Sequence, residues 1–253
     1  MAQRALVLAA HGSHYNIHSS DPARRHAARI ADLGLFDQVA AVFWKEFPSF
    51  GDLPYLVEAA ETTIVPFFMA EGYFSQRVVP RELGLDGPLT VRDGRRLRYT
   101  AAVGADPRLR DVIRARAATA VGPAGPPRAD TALVLVGHGT VQNRRSKDTL
   151  LGHVAGLAAD GFAQVLPAFL EESPQVTEIV RQVTAPAVVV TPLFAADGFH
   201  TTDQIPRALG LSAGPDGWAS PSAVAGRQVY YTSAVGNDPA MVEVILALAR
   251  EAP

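Results

Sequence analysis

Short, wholly apolar runs alternate with longer amphipathic stretches along the chain. The runs at residues 132–136 and 187–190 contain no polar side chain, which is typical of strands buried on both faces of a parallel sheet. Each half of the chain alternates strand and helix four times, which predicts doubly wound α/β sheets with right-handed crossovers. The stretches between the runs predict helices at residues 21–33, 48–60, 146–159 and 174–183.

The chain contains two copies of one unit. The segment PFFMAEGYFSQRVVPRELGL, which begins at Pro66, aligns without a gap with PLFAADGFHTTDQIPRALGL, which begins at Pro192. Three further pairs of segments occur in the same order in the two halves: ALVLAAHGS with ALVLVGHGT, QVAAVFWKEFP with QVLPAFLEESP, and YTAAVGADP with YTSAVGNDP. Four ordered matches indicate an internal duplication. A Pro- and Gly-rich linker, VGPAGPPRAD, separates the copies and predicts two domains, residues 1–121 and 130–253.

An Asp-Pro pair precedes the last helix of each copy. Asp106 and Asp238 are predicted N-caps, because a short carboxylate accepts hydrogen bonds from the first free N–H groups of a helix. Pro107 and Pro239 are predicted as the first helical residues, where a missing N–H costs nothing.

Composition excludes several classes of protein. Of the 253 residues, 48% are hydrophobic and 19% are charged, which indicates a packed globular protein and not a disordered one. The net charge of −2 gives no support for binding to nucleic acid or to an anionic membrane. The absence of cysteine excludes disulfides and thiolate metal sites. With no signal sequence and no membrane-spanning stretch evident, we predict a cytoplasmic protein.

Common motifs for phosphate chemistry are missing from the sequence. No glycine-rich phosphate loop follows either first strand. Ala10 and Gly137 stand where histidine phosphatases have an Arg before the His. We therefore discount phosphoryl transfer, and we expect no organic cofactor.

Four polar side chains follow the predicted strands. His11 and His138 end the first strand of their halves, Glu171 follows the second strand of the second half, and His200 follows the third. Ligands in open α/β sheets bind beyond the carboxyl ends of the strands. We therefore predict that the three side chains of the second half converge at one edge of their sheet.

The strongest functional indication is a difference between the copies. Phe74 stands where the second copy has His200, and Lys45 stands where it has Glu171. A residue that changes in an otherwise matched frame is not required by the fold, although an exposed turn His remains the alternative for His200. Two imidazoles, from His138 and His200, suit a borderline divalent metal such as Fe, Co, Ni or Zn.

Matched polar residues favour structural roles instead. Glu46 and Glu172 occupy equivalent positions after the second strand, where they are expected to cap or pair locally. His26 and His153 also correspond, and their apolar helical surroundings indicate packing residues.

Several basic residues have two open interpretations. They are expected either at solvated helix starts or at the mouth of a ligand site, where a guanidinium binds a carboxylate with two hydrogen bonds. The set comprises Arg81, Arg207 and the cluster QNRRSKD at residues 142–148, with Arg144, Arg145 and Lys147.

Together these motifs resemble the sirohydrochlorin chelatase family, the class II metal-inserting enzymes of sirohaem and cobalamin synthesis. The resemblance depends on GHGT, FLE, PLF, and a G-x-H followed by IP, with related segments in both halves. It implies two tandem, flavodoxin-like α/β domains with a tetrapyrrole in the cleft between them, so that a monomer suffices. It also implies that His138 and His200 bind the metal and that Glu171 is the acidic catalytic residue. The first half, with His11 opposite Phe74, looks degenerate.

The function expected from this resemblance is insertion of Co²⁺ or Fe²⁺, with Ni²⁺ as a further alternative, into sirohydrochlorin or a related tetrapyrrole. The other hypotheses are a non-catalytic tetrapyrrole or metal carrier and a protoporphyrin-type ferrochelatase. Two features depart from the family pattern. Gln204 stands before the Ile-Pro where an Asp is expected, and residues 213–226 form an insertion that is either a lid or a loop.

Overall fold

The computed structural model describes residues 3–139, 144–214 and 217–253. The strands are β1 (Arg4–Ala10), β2 (Gln38–Phe43), β3 (Glu61–Pro66), β4 (Leu89–Arg92), β5 (Arg95–Tyr99), β6 (Thr131–Gly137), β7 (Gln164–Phe169), β8 (Ala187–Pro192), β9 (Ala213–Gly214), β10 (Gly217–Trp218), β11 (Ser222–Val224) and β12 (Arg227–Tyr231). The α-helices are α1 (Asp21–Asp32), α2 (Leu53–Leu56), α3 (Val79–Leu83), α4 (Leu109–Val121), α5 (Arg144–Leu157), α6 (Val176–Gln182), α7 (Ile205–Leu209) and α8 (Met241–Arg250). Two π-helices, Phe74–Val78 and His200–Gln204, occupy equivalent places in the two repeats.

Each repeat builds a five-stranded sheet with the same order. The first sheet runs β2-β1-β3-β5-β4 and the second β7-β6-β8-β12-β11. All neighbours pair in parallel except the edge strands β4 and β11, which pair antiparallel with β5 and β12. The predicted fold class is confirmed, and the strand order is of the flavodoxin-like, doubly wound type.

The strands form because their sequences are apolar on both faces. Every residue of β6 and β8 is buried, as is every residue of β1 after the first. Helices cover both faces of such a sheet, so neither face needs polar side chains. Each sheet accordingly has its own apolar core, centred on β1 and β3 in the first sheet and on β6 and β8 in the second.

The observed elements differ from the sequence prediction in several places. An antiparallel hairpin, β4–β5, stands where one strand was predicted, and β11–β12 repeats it in the second sheet. The helix predicted at residues 48–60 is reduced to a 3₁₀ turn and the short α2. Pro54 lies in the first turn of α2, where the backbone N–H has no helical partner. If the helix began several residues earlier, residue 54 would lie in its interior, where the N–H that proline lacks is needed for a hydrogen bond.

The last helix of each repeat also begins later than predicted. Helix α4 begins at Leu109 and α8 at Met241. Asp106 and Asp238 accept the backbone N–H two residues further along the chain, at 2.8 and 2.9 Å. This is the hydrogen bond expected of an N-cap, so each carboxylate caps the turn that directly precedes the assigned start of its helix.

The packing units do not coincide with the sequence repeats. One unit contains the residues up to Leu109 together with 236–253, and the other spans Arg110–Val235. Helix α8 packs against α1 and β3 in the first unit. The predicted domains, 1–121 and 130–253, follow the repeats and place α4 and α8 in the opposite units. Equivalent helices from a duplication fit equivalent surfaces, so the sequence pattern alone does not assign them.

Among the helices of the three described ranges, none combines the length and the apolarity that crossing a bilayer requires.

Candidate metal centre

His138 directly follows β6, at the carboxyl end of a central strand. Its Nδ1 lies 2.9 Å from the carbonyl oxygen of Gly139. A carbonyl only accepts hydrogen bonds, so Nδ1 carries the proton and the neutral ring has its free lone pair on Nε2. Gly139 has φ of 71°, and a Cβ there would lie 2.8 Å from Cγ of Glu172. Only glycine fits this turn, which explains the His-Gly pair.

His200 begins the π-helix that follows β8. The N–H of Ile205 donates to the carbonyl of His200, five residues earlier, which is the bond that defines this wide turn. Nδ1 of His200 lies 2.6 Å from Oε1 of Gln204. This contact places the proton of His200 on Nδ1 and again leaves Nε2 with the free lone pair.

Two side chains satisfy the carbonyls that this turn leaves without helical partners. The hydroxyl of Tyr231 donates to the carbonyl of Thr201 at 2.7 Å, and burial raises the pKa of this phenol, which keeps it protonated. The indole N–H of Trp218 donates to the carbonyl of Thr202 at 2.7 Å. The residue four positions after Thr202 is Pro206, which has no N–H to offer. Trp218 lies in the insertion, so this part of the insertion supports the π-helix.

The two imidazoles of the second unit lie side by side. The ring centroids of His138 and His200 are 4.9 Å apart, and the ring planes cross at 87°. With metal–nitrogen bonds of about 2.1 Å, an ion lies about 3.2 Å from the centroid of each imidazole ring that binds it. If the two nitrogen–metal bonds meet at an angle of about 90–110°, the two ring centroids are roughly 4.5–5.2 Å apart. The observed spacing falls within that interval.

Glu171 lies beside His138 without joining a ligand cluster. Its Oε2 is 3.7 Å from Nδ1 of His138, and its side chain is 58% exposed. That distance is longer than a hydrogen bond, and the Nδ1 proton already goes to the carbonyl of Gly139. In the parts of the chain that the structure describes, no group of three or more metal-binding side chains occurs. The structure thus brings His138, His200 and Glu171 to one rim, with two imidazoles as the closest pair.

The equivalent rim of the first unit is aromatic. His11 lies 4.7 Å from the ring of Phe74 and 5.4 Å from that of Trp44, both edge to face. Phe68 stacks on Phe74, and Nζ of Lys45 lies 3.8 Å above the ring of Trp44. Where the second unit has the imidazole of His200 and the carboxylate of Glu171, the first unit therefore has the apolar ring of Phe74 and the cation of Lys45.

The His-Gly turn itself belongs to the fold. Nδ1 of His11 contacts the carbonyl of Gly12 at 2.6 Å, and Gly12 has φ of 66°. Glu46 holds the same loop, because its Oε1 accepts from the N–H of Ser13 at 2.6 Å and from Oγ of Ser19 at 2.8 Å. Burial raises the pKa of Glu46, but hydrogen bonds from Ser20, Ser13 and Ser19, together with the charge of Arg24, outweigh it and lower that pKa. The expected local capping role of Glu46 is confirmed.

The predicted basic residues contact neighbouring side chains. Lys147 lies 2.8 Å from Oε2 of Glu172, and Arg207 lies 2.7 Å from Oδ1 of Asp203. Arg81 pairs with Glu82 in the same way. Residues 140–143, which include part of the predicted cluster, lie outside the described residues, and so does the side chain of Arg144. A role of these residues toward a ligand stays a prediction.

The matched histidines pack as expected. His26 and His153 are 0% and 2% exposed. Nε2 of His26 lies 2.8 Å from the carbonyl of Gly236, and burial lowers the pKa of this imidazole.

Sequence reasoning missed three residues that support the site. The sequence pattern predicts no role for Tyr231 or Trp218, and it marks Gln204 only as a departure from a family pattern. The spacing of four residues between His200 and Gln204 places the two on one helical face, and this spacing was the available signal. The contacts of Tyr231 and Trp218 come from strands distant in sequence, and no local pattern indicates them.

The matches to known proteins show the same duplication. The family model described as CbiX matches this chain twice, at residues 5–120 and 132–252. A probable sirohydrochlorin cobaltochelatase of Halobacterium salinarum is 36% identical over 270 aligned positions, which cover 98% of this chain and 91% of that protein.

Solved structures agree in fold. A multi-domain protein of Deinococcus radiodurans, described as structurally similar to chelatases, has a TM-score of 0.84 at 30% identity and covers 99% of this chain. This chain spans only 55% of that protein's length. A CbiX described as the terminal enzyme of sirohaem biosynthesis in denitrifying bacteria has a TM-score of 0.74 at 27% identity, covering 98% of this chain and 99% of its own. With both repeats matched, this chain belongs to the CbiX family.

Proposed function

We propose that this protein is a chelatase that inserts a divalent metal ion into sirohydrochlorin, with His138 and His200 as the metal ligands. The observation that supports this most directly is the pair of imidazoles 4.9 Å apart, each with its Nδ1 hydrogen-bonded to an acceptor oxygen, which leaves Nε2 to face an ion. The cobaltochelatase from Halobacterium and the CbiX of sirohaem biosynthesis support the choice of substrate.

In this proposal the two Nε2 atoms hold the ion while water fills its other coordination positions. Two imidazoles without a charged third ligand bind the ion loosely enough for the macrocycle nitrogens to displace them. Insertion of M²⁺ also requires that two pyrrole N–H protons leave. Glu171 is the proposed acceptor of one proton, and an imidazole released from the ion is the proposed acceptor of the other.

Phe199 offers an apolar surface for the ring of the substrate. Its side chain is 68% exposed, and its ring centroid lies 6.1 Å from that of His200. An exposed aromatic ring at a site rim packs on flat ligands with little loss of conformational freedom. We propose that Phe199 positions the macrocycle next to the imidazole pair.

An anaerobic absorbance assay tests the proposal. Wild-type protein is mixed with sirohydrochlorin and, in separate reactions, Co²⁺, Fe²⁺ and Ni²⁺, and metal insertion is followed beyond one product per protein. We expect multiple turnovers with Co²⁺ or Fe²⁺ and none with protoporphyrin, and we expect His200→Ala to remove turnover while the circular dichroism spectrum is unchanged. Product that stops at one equivalent indicates a carrier, and unchanged turnover in the variant refutes the ligand assignment.

A further inference from the structure

We infer that Gln204 is a positioning residue that holds His200 in its metal-binding tautomer. The inference rests on the proposed role of His200 as a metal ligand. Oε1 of Gln204 lies 2.6 Å from Nδ1 of His200, and Gln204 is the last residue of the π-helix that His200 begins. The amide oxygen is an acceptor, so it requires the proton on Nδ1 and thereby keeps Nε2 unprotonated.

This requirement matters because a neutral imidazole has only one nitrogen with a free lone pair. In the opposite tautomer Nε2 carries the proton, and the nitrogen proposed to bind the ion has no lone pair for it. The hydrogen bond made by the other nitrogen decides between the tautomers, and such partners also fix the orientation of the ring. Gln204 provides that partner for His200.

His138 reaches the same state by a different route. Its acceptor is the backbone carbonyl of Gly139, which no substitution removes. The tautomer of His200 therefore depends on a side chain, whereas that of His138 depends on the turn. His138 is consequently an internal reference in any experiment on Gln204.

The first unit lacks both members of this hydrogen-bonded pair. Phe74 stands at the position of His200, and Val78, which is 1% exposed, stands at the position of Gln204. An apolar ring needs no acceptor, so a buried Val suffices there. The acceptor accompanies the imidazole, as expected if its purpose is to serve that imidazole.

The amide also differs chemically from a carboxylate in the same place. A carboxylate partner raises the basicity of a metal-binding imidazole and strengthens the metal bond, whereas a neutral amide adds no charge. A site that must release its ion to a macrocycle benefits from the neutral partner. Gln204 thus fixes the tautomer without tightening the grip on the ion.

The test reads the tautomer directly, by long-range ¹H–¹⁵N correlation spectra of the histidine rings in the metal-free protein, together with Co²⁺ titration. We expect His200 to carry its proton on Nδ1 in the wild type and to shift toward Nε2 in Gln204→Leu. We expect the Co²⁺ affinity of that variant to fall by about 10- to 100-fold, the usual effect of removing such a partner. Gln204→Glu keeps an acceptor oxygen at the same reach, so it should keep the proton of His200 on Nδ1 and bind Co²⁺ at least as tightly as the wild type, because a carboxylate raises the basicity of the imidazole.

The spectra of His138 and His11 are the controls, and both should be unchanged in either variant. If Gln204→Leu does not fold, Gln204→Asn, which shortens the reach by one methylene, replaces it with the same expectation. A His200 ring that stays protonated on Nδ1 with wild-type Co²⁺ affinity in these variants overturns the inference. Because these measurements use metal-free protein and Co²⁺ alone, they are independent of turnover with sirohydrochlorin, which decides the proposed function.

Discussion

The rims of the two sheets have nearly the same geometry and different chemistry. In the first unit the rings of His11 and Phe74 are 4.7 Å apart, and in the second the rings of His138 and His200 are 4.9 Å apart. Both distances come from the same backbone frame, a His-Gly turn after the first strand facing a π-helix after the third. The duplicated frame therefore holds two rings together whether or not they bind anything.

Some hydrogen bonds that support the two rims occur in both units, and one occurs only in the second. A tyrosine hydroxyl donates into the π-helix of each unit, Tyr99 to Ser75 and Tyr231 to Thr201. These matched bonds support the frame. The contact of Gln204 with His200 depends on residues that the first repeat does not have at those positions, and it belongs to the chemistry of the second unit.

The largest effect is expected from making the second rim like the first. His200→Phe removes one of two proposed metal ligands, so kcat/KM for metal insertion should fall by about 10²- to 10⁴-fold, as for loss of a group that acts at the reacting centre. Folding should be retained, because Phe74 occupies the equivalent position. Steady-state kinetics and a thermal unfolding curve measure the two quantities.

The reverse change is the matched control. Phe74→His places an imidazole opposite His11, with Lys45 at the position of Glu171. It should leave turnover within about twofold while adding a weak second Co²⁺ site, visible by isothermal titration calorimetry. If His200→Phe retains full activity, or if Phe74→His abolishes it, the assignment of the two rims is wrong.

The next effect concerns the carboxylate that the first unit replaces with Lys45. Glu171→Gln keeps the size of the side chain but removes a proton acceptor 3.7 Å from His138. We expect kcat to fall by about 100-fold with Co²⁺ affinity little changed, because Glu171 is proposed to accept a proton and not to bind the ion. Glu178→Gln, an exposed change on α6, is the control for the lost charge. A large loss of Co²⁺ affinity in Glu171→Gln would instead make Glu171 a ligand.

A smaller effect separates support of the frame from support of the site. Tyr231→Phe and Tyr99→Phe each leave a carbonyl in a π-helix without its donor, and each should lower the free energy of unfolding by about 1–3 kcal/mol. Only Tyr231→Phe should also reduce turnover, by a few-fold, because its π-helix contains His200. Chemical denaturation and initial rates provide the comparison. Equal losses of activity in both variants would remove the distinction between the units.

The smallest effect is a pH dependence of stability from the first unit. Burial lowers the pKa of His26 below its ordinary value of 6.5, so the unfolded chain binds more protons than the folded chain at this residue. Its contribution is present above pH 6.5 and is lost as the pH falls toward the lowered pKa, at up to about 1.4 kcal/mol per pH unit. Urea unfolding between pH 5 and pH 8 should show this slope, and His26→Gln should reduce it. His14→Gln, at an exposed position, should leave the slope unchanged.

The sequence predicted those features that depend on local pattern. Fully apolar runs identified the central strands, and the gapless repeat identified Phe74 and His200 as equivalent positions. The short helix at α2 and the late starts of α4 and α8 were not predicted, because the missing N–H of Pro54 and the tight turns at Asp106 and Asp238 are local features that periodicity does not reveal.

By itself, the sequence determined that this protein is a duplicated α/β chain whose second copy differs at a few positions of one sheet edge. Only the tertiary structure decided that the rings of His138 and His200 lie 4.9 Å apart, that Gln204 contacts one of them, and that the last helix of each repeat packs in the other's unit. The physical reason is that strand and helix periodicity are local properties of the chain. A ring-to-ring distance, a tautomer and a helix docking site depend on groups that only folding brings together.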